Sequence, residues 1–212
     1  IFPDKKAFDT AEGSVADLGA LWSGKSVTFA PCDAEGKTYT VTEKGRTEPE
    51  KPSDGQLFLK VEDEAHPWSS ESTLEVYSAA SGNWSAVVLD YCKVTAVGIG
   101  KWFREWDSVT VRGAAGEEVG QWVDLNGDHI VYGVEDNALR LKATPGGERF
   151  YGQLLHSGTT ARWNSLDGAE SVSVQWTEDP AVERRVPDLD FLTECDNRVW
   201  GCSSKENVIY AS

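Results

Sequence analysis

Methionine is absent from the sequence, histidine occurs three times and cysteine four times, and bases are scarce beside acids. Each shortage excludes something. The histidines, His66, His129 and His156, are scattered, and neither a C-x2-C nor an H-x3-H pair occurs, so a structural zinc site has no ligand set. No G-x-S-x-G elbow, H-E-x-x-H helix or G-x4-G-K-[ST] loop is present, and Gly98-Ile99-Gly100-Lys101 is too short to cradle a phosphate. No apolar run approaches the roughly 18–20 residues that span a bilayer.

The 20 bases stand against 35 acids, a formal charge of −15. The first 106 residues carry 17 acids and 11 bases, the last 106 carry 18 and 9, so the excess is no acidic tail. Such a surface repels phosphate backbones and anionic lipid, and nucleic acid is excluded as a partner. A protein partner is expected, and a glycan is the alternative. The chain opens at Ile1, which reads as a start trimmed by processing, and with its cysteines favours an extracytosolic compartment, secreted or luminal.

Cys195 and Cys202 close a short loop, E-C-D-N-R-V-W-G-C, which leaves Cys32 for Cys92; four cysteines allow three pairings, and disulfides are expected. Asn83-Trp84-Ser85 is a glycosylation sequon that matters only on a secretory route.

What the chain has is alternation. Over residues 10–22, Val15, Leu18, Leu21 and Trp22 fall near a 3.6-residue spacing, which predicts a short N-terminal helix. After Gly24 the period becomes two. Ser26–Ala30, Lys37–Glu43, Gln56–Glu62, Ser72–Tyr77, Ser85–Asp90, Ser108–Arg112, Gly120–Asp124, His129–Tyr132, Ala138–Ala143, Phe150–Leu155, Thr160–Asn164 and Ser171–Trp176 are short, β-branched or aromatic, and bounded by turn residues. Residues 43–55, polar and with two prolines, read as a mobile surface loop or a linker. About a dozen strands at this spacing, without crossover helices, predict an all-β chain of one domain folded as an antiparallel barrel or sandwich. From Asp179 the pattern fades into an irregular C-terminal tail whose Leu189, Phe191, Leu192 and Trp200 would dock on the main body.

A repeat of about 32 residues relates Gly116–Leu141 to Gly147–Val174, with a weaker echo from Gly82. Each copy has a G-E start, a G-Q step, a glycine turn, a β pair and an acidic turn. This rhythm is similar to the hairpins of small SH3-like or Tudor-like barrels, and to membrane-occupation repeats. The resemblance covers at most Gly116–Trp176, rests on generic motifs and assigns no family; it implies a protein-binding module.

Asp124, Asn126, Asp128, Ile130 and Glu135 occupy positions 1, 3, 5, 7 and 12 of an EF-hand-like loop, which would make calcium the cofactor. His129 stands where that loop needs glycine, and Asn126-Gly127 is also the favoured hairpin dipeptide. His129 and His156 fall at matching turns of the repeats and could share a site. Acids are plentiful, but no carboxylate pair is singled out for hydrolysis. Nine tryptophans exceed what a core of this size uses. Trp102 and Trp106 in K-W-F-R-E-W-D break alternation and, with Trp122, are the candidate ligand-binding platforms. The leading functional expectation is a non-enzymatic binding or assembly subunit, followed by a carbohydrate-binding module and then a carboxylate-dependent hydrolase.

Overall fold

The computed structural model describes residues 6–9, 11–41, 43–62, 72–114, 125–142, 152–158, 160–165, 171–175, 178–185, 190–196, 198–203 and 208–211. These residues form strands and turns and hold no α-helix. The chain opens with a hairpin, β1 (Lys6–Asp9) on β2 (Ser14–Asp17), followed by β3 (Leu21–Ser23) and β4 (Ser26–Cys32). A four-stranded sheet comes next: β5 (Lys44–Gly45), β6 (Leu57–Lys60), β7 (Thr73–Ser78) and β8 (Asn83–Ala86). Then come β9 (Tyr91–Thr95), a 3-10 turn at Ile99–Lys101, β10 (Ser108–Arg112), β11 (Gly127–Glu135) and β12 (Ala138–Lys142). Strands β13 (Gly152–Ser157), β14 (Thr160–Ser165), β15 (Ser171–Gln175) and β16 (Ala181–Arg184) follow. The chain ends in a three-stranded meander of β17 (Phe191–Cys195), β18 (Arg198–Ser203) and β19 (Val208–Ala211).

The main sheet has ten strands in the order β15-β14-β13-β4-β9-β12-β11-β10-β16-β3, every neighbouring pair antiparallel. Because side chains alternate across a pleated strand, the register decides which residues share a face. Leu154 lies opposite Phe29, Phe29 opposite Val94 and Val94 opposite Leu139, all fully or almost fully buried. Trp22 lies opposite Val182, and Val182 opposite Val111, in a second buried row. Both rows belong to one core cluster. Burying each such side chain stabilises the fold by roughly 1.5–3 kcal/mol.

The sheet is strongly curled. β3 and β4 are the tenth and fourth strands in order, yet only Gly24 and Lys25 separate them in the chain. A connection that short reaches about 10 Å at most, so the β3 edge is drawn round to β4. No ladder joins them, so the sheet is not a closed barrel; Gly24 donates to the Pro180 carbonyl and Gly158 to that of Lys25 at this corner. Strands β13–β15 extend the sheet beyond the corner. The smaller sheet carries a second core of Val41, Leu59, Val61, Leu74 and Leu89.

Three expectations are corrected. The predicted N-terminal helix is absent: its described residues include β2 and β3, where Trp22 turns inward while Val15 and Leu21 are exposed. Glycines at 13, 19 and 24 deny a helix the three uninterrupted turns it would need. The described part of the C-terminal tail is strand rather than irregular, and Phe191 and Leu192 do not dock; they are exposed on β17, Phe191 to 72%, while Leu189 lies outside the described residues. Of Lys37–Glu43, the described part makes one isolated bridge, Cys32 to Thr38, and no strand.

The four cysteines are free thiols, against the expected disulfides. Cys32 lies opposite Tyr91 and Cys92 opposite Pro31, so the two cysteines are offset by one residue and project from opposite faces of the sheet. Cys195 lies opposite Arg198, four residues from Cys202 along β18. That is about 13 Å, beyond the roughly 4.4–6.8 Å a disulfide spans. Burial, with Asp33 adding to it, pushes the Cys32 thiol up to about 12, and burial raises Cys92 well above the ordinary range. Thiolate, not thiol, is the reactive form. Native protein treated with iodoacetamide is therefore expected to be alkylated at exposed Cys195, more slowly at Cys202, and at Cys32 and Cys92 only after unfolding; peptide mapping checks this. Protection of Cys195 that reductant removes would show that it is bonded after all.

Candidate functional site

The segment K-W-F-R-E-W-D links the 3-10 turn to β10 and carries both tryptophans singled out by sequence. Phe103 buries itself and pins the middle of the segment. Gly100 lets the backbone press against the β11–β12 turn: a Cβ there would overlap the Glu135 carbonyl oxygen. Arg184 fastens the rest. Its Nε donates to Asp107 Oδ2 at 2.8 Å, its Nη2 to the Trp102 carbonyl at 2.9 Å and its Nη1 to the Leu18 carbonyl at 3.0 Å. Asp107 Oδ2 also accepts the Arg104 amide at 2.8 Å.

This anchoring forces an uncommon backbone at Trp106, which sits at φ 73°. For a bulky residue that left-handed conformation costs on the order of 1–3 kcal/mol and persists only where the surroundings impose it. The Trp106 amide donates to the Val131 carbonyl at 2.7 Å, and the Val131 amide to the Asp107 carbonyl at 3.0 Å. The strained residue is thus fixed beside β11 with its side chain outward, 67% exposed. Trp102, in the same loop, is 52% exposed.

A second irregularity lies directly alongside. β11 and β12 lose register between Val131 and Gly133, so Tyr132 is a bulged residue with no cross-strand partner. Its ring meets Trp106 edge-on at 5.0 Å and Tyr91 edge-on at 5.4 Å. Tyr91 belongs to β9 and lies opposite Lys142. The three rings make a continuous aromatic strip on the outer face of the sheet.

Cations flank one end. Lys142 Nζ stands 4.7 Å and Arg140 Cζ 5.7 Å from the Tyr91 ring centroid, both within cation–π range. Arg140 lies flat against Gly133, where a Cβ would crowd its guanidinium, and Nη2 donates to the Tyr132 carbonyl at 2.9 Å. Lys93, opposite Arg140, pairs with Glu135 at 2.9 Å.

The turn at Asp33–Lys37 borders this end, with Gly36 against Arg140 and Glu135. Asp33 Oδ1 accepts the Glu35 and Lys37 amides, and Oδ2 the Tyr39 hydroxyl at 2.7 Å. Burial alone would raise the Asp33 carboxyl, but these hydrogen bonds outweigh it and hold it below its usual value. Burial, and then the bond to Asp33, push Tyr39 up to about 12.

The remaining candidates are not brought together. Trp122, Asp124 and His66 lie outside the described residues. Asn126 Oδ1 accepts the Ala114 amide. Asp128 accepts the Thr110 hydroxyl and pairs with Arg185 at 2.7 Å. Glu135 stands at the far end of the same strand, seven residues on, and roughly 23 Å separates them, so Asp128 and Glu135 do not share a coordination sphere. Among the described residues no three His, Cys, Asp or Glu stand close enough to hold a metal ion. His129 is buried, with Nδ1 3.0 Å from the Lys142 carbonyl and Nε2 2.8 Å from that of Leu125, a structural tie. His156 belongs to β13, four strands away in the sheet order. Two acids flank Lys60 on the smaller sheet: Glu48 pairs with it at 2.5 Å, and Glu75 is raised by burial, an effect that Lys60 opposes and Glu48 reinforces.

Sequence reasoning found Trp102 and Trp106 and missed Tyr91, Tyr132, Arg140 and Lys142. The signal was present as alternation, since residues 91, 93, 140 and 142 are polar or aromatic positions between buried ones. Comparison with known protein families, curated proteins and solved structures finds no match.

Two outcomes follow from this geometry. Gly100→Ala is expected to destabilise the fold by about 1–3 kcal/mol and to loosen the tryptophan loop, read by thermal melting and by quenching of tryptophan fluorescence with acrylamide. Asp33→Asn is expected to cost about 1 kcal/mol at neutral pH, the loss of charge-assisted hydrogen bonds discounted for exposure. A carboxyl lowered in the folded state contributes stability above its unfolded value and loses it as pH falls through the folded one. The gap between wild type and Asp33→Asn therefore narrows below the ordinary aspartate range; a gap constant with pH would show that the ionised carboxylate does not stabilise the turn.

Proposed function

We propose that the protein is a non-enzymatic binding module that meets a partner protein through the Trp106–Tyr132–Tyr91 strip. The observation that carries this reading is the rigid outward presentation of Trp106. A large aromatic ring is held two-thirds exposed, on a strained backbone, against a bulged tyrosine. Folding stability favours neither feature, and strain and bulges concentrate where side chains are aimed at ligands. Tryptophan, tyrosine and arginine are the residues in which binding energy concentrates at protein interfaces, because they bury much area for little lost rotamer freedom. The strip combines all three, in an outer face of otherwise polar strands. Of the carboxylates bordering it, Asp107 and Glu135 are committed to Arg184 and Lys93, and Asp33 to the Glu35 and Lys37 amides and the Tyr39 hydroxyl.

A glycan is the second reading. The open face of Trp106, with Trp102 in the same loop, favours it, since an exposed indole also suits the apolar face of a sugar ring.

Trp106→Ala separates these readings from a merely structural role. In its source extract the wild-type protein is expected to elute in an assembly larger than a single chain. The variant should elute as a single chain, with partner affinity reduced about 30-fold or more for loss of a central anchor. Circular dichroism should be unchanged, because the ring lies outside the core. Wild type eluting as a single chain, together with Trp106-dependent retention on a glycan column, would replace the protein partner with a sugar.

A further inference from the structure

Three cations share one end of the aromatic strip. Lys142 stands opposite Tyr91 and Arg140 opposite Lys93, so two like charges face each other across β9 and β12. Directly opposed like charges destabilise a sheet by roughly 0.2–1 kcal/mol. Glu135 offsets Lys93, while Arg140 and Lys142 lie against the Tyr91 ring. This grouping occurs in a chain of net charge −15, whose average surface favours a basic partner. Glu135 offsets Lys93 and the Asp33 turn borders Arg140, so the cations left facing outward are Lys142 and Arg140, held on the Tyr91 ring of an otherwise acidic chain.

We infer that the segment received by the strip is an acidic stretch of a partner protein, with an aromatic or apolar side chain on Trp106 and Tyr132 and a carboxylate between Lys142 and Arg140. This inference rests on the binding reading above and adds the partner's chemistry. A short acidic segment fits better than a long polyanion. Charges farther than about 8 Å apart are largely screened at physiological salt, so one or two carboxylates feel Lys142 and Arg140, Lys93 being already paired with Glu135. A nucleic acid or an extended polyuronate must also lie over the acidic surface beyond them. Lys142 is exposed, and the Arg140 guanidinium is oriented by its bond to the Tyr132 carbonyl. The acceptor would therefore meet a partly preorganised pair of donors, which lessens the ordering cost of binding.

The test selects peptides from a random display library on the immobilised full chain, discarding those that also bind Trp106→Ala. The surviving peptides are expected to be enriched in Asp and Glu. Their affinity should fall about tenfold in Lys142→Gln, near 1.4 kcal/mol, and should weaken as salt rises. Lys142 is exposed and its contact with the Tyr91 ring contributes at most about 0.5–1 kcal/mol, so this variant stays folded with its melting temperature lowered by a few degrees at most. Trp106-dependent peptides without acidic enrichment, or indifferent to Lys142→Gln, overturn the acidic segment and leave the strip as a binding surface. No Trp106-dependent peptide together with no Trp106-dependent retention of polygalacturonate overturns both. Retention of polygalacturonate through Trp106 and Lys142, with no peptide selected, replaces the protein segment with an acidic glycan.

Discussion

The constraint on which the rest depends is that one face of a ten-stranded sheet must bury itself without help from helices. The residues that do so alternate strand by strand, from Leu154 through Phe29, Val94 and Leu139 to Val111, Val182 and Trp22. A flat sheet would leave that face wet, so the sheet curls, and the two-residue link between β3 and β4 records how far. Sequence neighbours stand six places apart in strand order and feed the same core. An open sheet has edges, which are hazards for pairing with other chains. Here β3 is three residues long and the corner hydrogen bonds of Gly24 and Gly158 occupy backbone groups beside it.

Curling the apolar face inward leaves much of the outer face near Tyr91 and Tyr132 unburied, though Ala30, Cys32 and Ala138 on it are covered, and the side chains left outside can be selected for chemistry. The two departures from regular backbone fall together there. The Tyr132 bulge and the left-handed Trp106 each cost stability, and each aims a ring at the other. Both depend on the core indirectly. Phe103 is buried, and Arg184 extends from β16, a core strand, to clamp the loop at Asp107, Trp102 and Leu18. Strain at the surface is therefore held by contacts in the interior, as expected of a site built on a rigid scaffold.

Most of the strands were legible because period-two alternation is the direct imprint of a half-buried sheet; Ser108–Arg112 coincides with β10 and Ala138–Ala143 nearly so with β12. The failures have physical reasons. Four apolar residues near a 3.6 spacing imitated a helix in residues 10–22, but Gly13 and Gly19 inside it, with Gly24 just beyond, disfavour that helix, and the same residues serve two strands. The C-terminal segment has too few apolar residues to look like a sheet; Phe191 and Leu192 on its first strand are exposed, and its pairing is supplied by neighbouring strands. Cysteine arithmetic failed because it counts spacing along the chain, whereas strand register sets which face a thiol occupies. The site was half legible. Broken alternation exposed Trp102 and Trp106, but a bulge at Tyr132 depends on a register shift between two strands, and no local pattern announces it.

Charge pattern bears on specificity more than on affinity. A partner approaching this surface first meets the field of a chain at −15, which disfavours most acidic proteins and admits basic ones without discrimination. A local cationic strip inside that field changes the selection. An acidic segment must be short, and must place its carboxylate within a few ångströms of Lys142 and Arg140 to gain more than it loses. The surrounding acids then act against wrong registers, since a shifted segment meets like charge. Repulsion around attraction is how discrimination between similar partners is achieved when buried area alone cannot supply it. The aromatic strip supplies area and the cations supply orientation. The acidic remainder of the surface rejects what does not fit.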